Sequence, residues 1–129
     1  MFSHVMFGTN DLEASRKFYD AVLSTLGIPA GVMHNGTRYF YRTSKGSFSI
    51  TQPIDGQPAT HANGGTIGFL AETAEQVLAF HAAGIANGGT HCEDPPGPRE
   101  GPFGSLNLAY LRDPTGNKIC ALHRPPKPA

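Results

Sequence analysis

Apolar and polar positions alternate at the start of the chain. Val5 and Phe7 fall on one side and His4 and Met6 on the other, the period of a half-buried β-strand. From Leu12 the period changes, and Tyr19, Val22 and Leu26 share one helical face with it. Asn10-Asp11-Leu12-Glu13 supplies the helix start, an Asn cap followed three residues later by Glu. The helix is expected to run to about Leu26, where Gly27 and Pro29 end it. Three short strands are predicted next, over residues 31–34, 37–43 and 47–51, with hairpin signals at Asn35-Gly36 and Lys45-Gly46.

Residues 53–63, rich in Pro, Gly, Thr and Ala, read as a linker. After them the pattern restarts. Thr66-Ile67-Gly68-Phe69 repeats the spacing of His4-Val5-Met6-Phe7 at an offset of 62 (66 − 4), which also carries Asp11 onto Thr73 and Phe18 onto Phe80. Thr73 and Gln76 form a capping box for a second helix that ends near Gly84 to Gly89. Strands over 90–93, 106–112 and 118–123 complete a second unit of strand, helix and three strands. The domain reading is therefore a first module over 1–52, a linker over 53–63, a second module over 64–124 and a tail over 125–129.

Composition narrows the partners. The 129 residues carry 10 Lys+Arg and 10 Asp+Glu, no basic run, and no apolar stretch long enough for a bilayer, so neither nucleic acid nor membrane is expected. Two cysteines, Cys92 and Cys120, are too few for a disulfide framework and too far apart for a CxxC motif. The opening residues lack the basic start and long apolar stretch of a secretion signal, and a reducing cytoplasm is the expected compartment.

The opening, with Asn10-Asp11-Leu12-Glu13-Ala14-Ser15, Phe18-Tyr19 and Val22-Leu23, resembles the glyoxalase/bleomycin-resistance/dioxygenase superfamily, the vicinal oxygen chelate proteins. So does the closing Tyr110-Leu111-Arg112-Asp113-Pro114-Thr115-Gly116-Asn117-Lys118-Ile119, a strand, an Asp-Pro-x-Gly-Asn turn and a strand. The resemblance implies an α+β fold of two tandem βαβββ modules forming an open, partly closed barrel around a cavity, and a homodimer. It also implies metal ligands at matching strand positions, which here are His4, Ser49, Thr66 and Cys120. Only His4 matches the family's ligand types. Hydroxyls are weak ligands, and one imidazole with one thiolate falls short of the usual three protein ligands.

No cofactor is therefore expected, a divalent metal held partly by His4 being the alternative. His4 is the candidate acid or base, and Ser49, Thr66 and Cys120 are candidate ligand-binding groups. Aligning Gly46 with Gly116 instead places Ile50 opposite Cys120, so Ser49 and Ile50 compete for one position. With Ser49 and Thr51 facing the cavity, Tyr39, Tyr41, Asn107, Ala109 and Leu111 are expected to line it. The Pro- and Gly-rich segment 94–104 reads as a long loop in which Arg99 could hold a carboxylate or phosphate and Phe103 cover an apolar part. The functional expectation is a small-molecule-binding protein whose metal site is degenerate. The alternatives are a metal-dependent enzyme like lactoylglutathione lyase or a dioxygenase, and drug sequestration. Zero net charge gives the last little support.

Overall fold

The computed structural model describes residues 1–102 and 104–126; Phe103 and the last three residues of the tail lie outside the described residues. The first module runs β1 (His4–Gly8), α1 (Leu12–Ser24), β2 (Val32–His34), β3 (Arg38–Thr43) and β4 (Gly46–Thr51). The second runs β5 (Ile67–Leu70), α2 (Ala74–Ala86), β6 (Thr90–His91), β7 (Gly97–Gly101), β8 (Gly104–Arg112) and β9 (Lys118–His123). Each module makes one mixed sheet, ordered β1-β4-β3-β2 and β5-β9-β8-β6, with β7 paired to β8. The two sheets are not hydrogen-bonded to each other among the described residues, so the barrel stays open.

The duplication is visible in the helices. Both ends of α2 lie 62 residues beyond those of α1 (74 − 12 and 86 − 24). The caps keep the same offset: Asp11 accepts from the Ala14 N–H and Thr73 from the Gln76 N–H. The expected Asn10 cap is thus displaced by one residue. Asn10 is instead held outside the helix, where its amide exchanges two hydrogen bonds with the backbone of Ala59. A second difference is β7. Residues 97–101 form an edge strand on β8 within the segment read as a loop, and Pro98 is tolerated there because an edge strand leaves N–H groups unpaired.

One core serves both modules. Phe18, Tyr19, Val22 and Leu23 of α1 pack with Val77 and Phe80 of α2 and with Phe48, Ile50, Leu111, Ile119 and Ala121 of the sheets. The Phe48 ring lies 4.7 Å from Tyr19 and 5.2 Å from Phe69, joining β4 to β5 through aromatic contact. Gly84 keeps the helices and β8 this close: a Cβ there would stand 2.4 Å from Leu111 Cδ1 and 3.3 Å from Phe18.

Polar contacts fix how the modules meet. Asp113, only 4% exposed, opens the turn before β9. Its Oδ2 accepts from the Tyr19 hydroxyl (2.7 Å) and Asn117 Nδ2 (2.9 Å), and its Oδ1 from the backbone N–H groups of Thr115 and Asn117 (both 2.9 Å). Asn117 Nδ2 also donates to the Gly8 carbonyl on β1. Gly116 closes the turn at φ +100, where a side chain would be strained.

Burial first, then the neighbouring Asp113 carboxylate, pushes the Tyr19 hydroxyl well above its ordinary value of 10; burial and Asp20 do the same to Tyr41. Both phenols keep their protons in the folded chain while the unfolded chain loses them from about pH 10. Stability attributable to them is complete below that pH and is lost as pH rises further. Melting temperature should therefore fall steeply above about pH 10, and Tyr19→Phe, less stable at neutral pH, should show a shallower fall. Parallel curves for the two proteins would contradict this.

Candidate functional site

Strand alternation decides which residues face the helices and which face the open side of each sheet. In the first sheet Val5 pairs with Phe48 and Phe7 with Ile50, all turned to the helices. His4, Met6, Ser47 and Ser49 therefore face the opposite, open side. In the second sheet Ile67 pairs with Ile119 and Phe69 with Ala121 on the helix side, so Gly68 and Cys120 face the open side. The two registers give Ser49 and Cys120 corresponding positions and place Ile50 in the core, which resolves the Ser49–Ile50 ambiguity in favour of Ser49.

The same registers correct the parity expected for the neighbouring strands. Tyr39 lies opposite Ile50 and Tyr41 opposite Phe48, and antiparallel partners share a face. Both tyrosines point toward α1, where their hydroxyls donate to Glu13 Oε1 and Asp20 Oδ1, each at 2.7 Å. Asn107 lies opposite His123, Ala109 opposite Ala121 and Leu111 opposite Ile119, again on the core side. The residues that accompany Ser49 and Cys120 on the open side are Phe40 and Tyr110.

The gap between the sheets holds two spaces. The larger, about 810 Å³, lies where the start of β1 faces β5, and is bordered by Phe2, His4, Ser47, Phe48, Phe69 and Leu70 among others. The smaller, about 220 Å³, lies where Phe7 faces Thr66 and Lys118. His4 and Thr66 thus open onto different spaces, and neither Ser49 nor Cys120 lines either one. Tyr41 does border the larger space, from its core side. His4 is exposed, and its Nδ1 shares a hydrogen bond with Ser3 Oγ at 2.8 Å.

The other candidates sit as follows. Ser49 is fully buried, and its Oγ, like Arg38 Nε two residues along the same face, has no hydrogen-bond partner among the described residues. Cys120 is buried against Gly68, and burial raises its thiol above the ordinary value, opposed by Lys118 and reinforced by Cys92. It keeps its proton and is a poor nucleophile. Arg99 on β7 spends its terminal nitrogens on the carbonyls of Asp94, Pro95, Gly97 and Pro98, which folds segment 94–98 around it, away from both spaces.

The donor set does not fit a divalent cation. Of His4, Ser49, Thr66 and Cys120, one is an imidazole, two are neutral hydroxyls and one is a protonated thiol, and they line no common space. No group of three or more His, Cys, Asp or Glu able to hold a metal ion occurs among the described residues. His81 Nε2 and His91 Nδ1 do meet at 2.9 Å, a pair the sequence spacing did not reveal, but a pair alone.

Lys45 and Arg124 also border the larger space, and neither is among the residues expected there from the sequence. For Lys45 the available signal is the run from Ala21 to Ile54, which contains no acidic residue.

Comparison with known proteins agrees with this architecture. A sequence model described as Glyoxalase/Bleomycin resistance protein/Dioxygenase superfamily matches residues 1–121. A glyoxalase/bleomycin resistance protein from Albidiferax ferrireducens T118 is 69% identical, with a TM-score of 0.94 over 96% of this chain and 99% of that one. Likeness of fold alone extends to a glyoxalase-related enzyme from Fulvimarina pelagi (21% identity, TM-score 0.74, 100% and 93% of the two chains). It extends also to a lactoylglutathione lyase from Agrobacterium tumefaciens (20%, 0.66, 95% and 92%). Comparison with curated proteins gives no match.

The two fully buried serines test the packing of this region. Ser15 Oγ is bonded to Thr9 Oγ1 at 2.6 Å, whereas Ser49 Oγ has no partner among the described residues. Ser49→Ala should raise stability by about 1 kcal/mol and Ser15→Ala lower it by a similar amount, measured by urea denaturation. A loss in Ser49→Ala would show that its hydroxyl is bonded after all.

Proposed function

Because the chain belongs to the glyoxalase/bleomycin resistance protein/dioxygenase superfamily, we propose that it binds a small, largely apolar molecule between β1 and β5 without a divalent metal. The observation that carries this reading is the space of about 810 Å³ there, within the range of small-molecule pockets. Its walls match that use. Phe48 and Phe69 offer apolar surface, and His4 stands on the border with ring nitrogens that can donate or accept a hydrogen bond. A metal-dependent lyase or dioxygenase reaction has less support, because the donors at the matching positions are too weak to retain a divalent ion.

A homodimer belongs to the same proposal. Met6, Val32 and Leu70 are exposed, and a second copy would cover such apolar surface. Sedimentation equilibrium should then return twice the chain mass of 13.7 kDa.

A thermal-shift screen of small aromatic and carboxylated compounds should find molecules that raise the melting temperature. Ser47→Trp, which projects into the larger space, should abolish the rise, and Thr66→Trp, on the smaller one, should leave it. No rise across the screen, or one indifferent to Ser47→Trp, would refute the site. Elemental analysis of fresh protein should find far less than one divalent ion per chain; about one per chain, lost in His4→Ala, would overturn the metal-free reading.

A further inference from the structure

The net charge of zero conceals a separation of charge across the first module. Its acidic residues are Asp11, Glu13 and Asp20, which cap or belong to α1. Glu13 and Asp20 are engaged by Arg16 and by the tyrosine hydroxyls of β3. The strands and turns that follow carry Arg38, Arg42 and Lys45 and no carboxylate, and residues 56–71, which include β5, carry none either. The larger space between the sheets takes its walls from these acid-free segments, from residues 1–5, which carry no acid either, and from Arg124. Among the described residues no Asp or Glu borders it, while Lys45 and Arg124 do. Both are exposed, and neither takes part in any of the three ion pairs found among the described residues, Arg16–Glu13, Arg16–Asp20 and Lys118–Glu93.

From this we infer that the site selects an amphipathic anion: an aromatic or branched apolar body carrying one carboxylate or phosphate group. The inference rests on the reading that this space is the ligand site, and adds the ligand's charge and where it sits. The apolar body lies against Phe48 of β4 and Phe69 of β5, whose rings pack edge to face and form one continuous apolar wall of the space. The oxyanion stays at the rim, where Lys45 and Arg124 reach it without being taken out of water. That geometry avoids the desolvation cost of a buried charge pair and leaves attraction that salt can screen. A cationic ligand of the same shape meets two like charges and no carboxylate to offset them.

The test uses three isosteres, 2-naphthylacetate, 2-naphthylacetamide and 2-(2-naphthyl)ethylamine, titrated into the full chain by calorimetry, with amide NMR shifts locating the site. The acetate should bind about tenfold more tightly than the amide, and the amine most weakly. Raising the salt should shrink the margin between acetate and amide. Lys45→Ala with Arg124→Ala should remove that margin while leaving amide affinity unchanged, and Lys45→Glu with Arg124→Glu should make the amine the tighter ligand. Equal binding of acetate and amide, or a preference for acetate that survives the charge variants, would overturn the inference and leave the binding reading intact. Failure of all three to shift resonances around Phe48 and Phe69 would overturn both. The salt series on the unaltered chain decides the matter even if a variant folds poorly.

Discussion

A single buried carboxylate sets the relation between the two halves of this chain. Asp113 belongs to the second module, yet Tyr19 of the first module donates to it, and Asn117 links the same turn to the carbonyl of Gly8 on β1. A carboxylate with two donors on each oxygen tolerates burial because its hydration is replaced rather than lost. The clamp joins the turn before β9, α1 and the end of β1, and so holds β1 alongside β5 with no strand pairing between the sheets among the described residues. The space between them is a consequence. Strands that paired directly would leave no room for it.

The architecture was largely legible because the duplication is written in caps and core residues at one offset. Asp11 and Thr73 both cap helices of 13 residues, and Phe18 and Phe80 are both fully buried. The Asp-Pro-Thr-Gly-Asn turn announced itself through Pro and Gly. The family assignment followed from the same residues.

The site was less legible, for a physical reason. In Tyr39-Phe40-Tyr41 every position is aromatic, so hydrophobicity cannot say which face is buried. The phenols are drawn inward by Glu13 and Asp20, carboxylates that the sequence places far away. One error of parity there moved Asn107, Ala109 and Leu111 to the wrong face as well. Arg99 resembled a ligand anchor because of its Pro-rich surroundings, but those residues turn their carbonyls to its guanidinium. Lys45 and Arg124 are legible only from where acids are missing around them, a pattern that residue types taken singly do not show.

Two observations support the proposed chemistry: weak metal donors at the strand positions that the family resemblance implies, and a roomy gap bordered by an imidazole and by no acid among the described residues. Both favour recognition of a ligand by shape and charge over coordination of its oxygens to an ion. The most direct measurement is an isotope-filtered NOE spectrum of labelled protein with a bound aromatic ligand. Cross-peaks from the ligand to the ring protons of both Phe48 and Phe69 are the predicted result. Cross-peaks confined to Tyr110 and Leu122, on the open side of the second sheet, would contradict it.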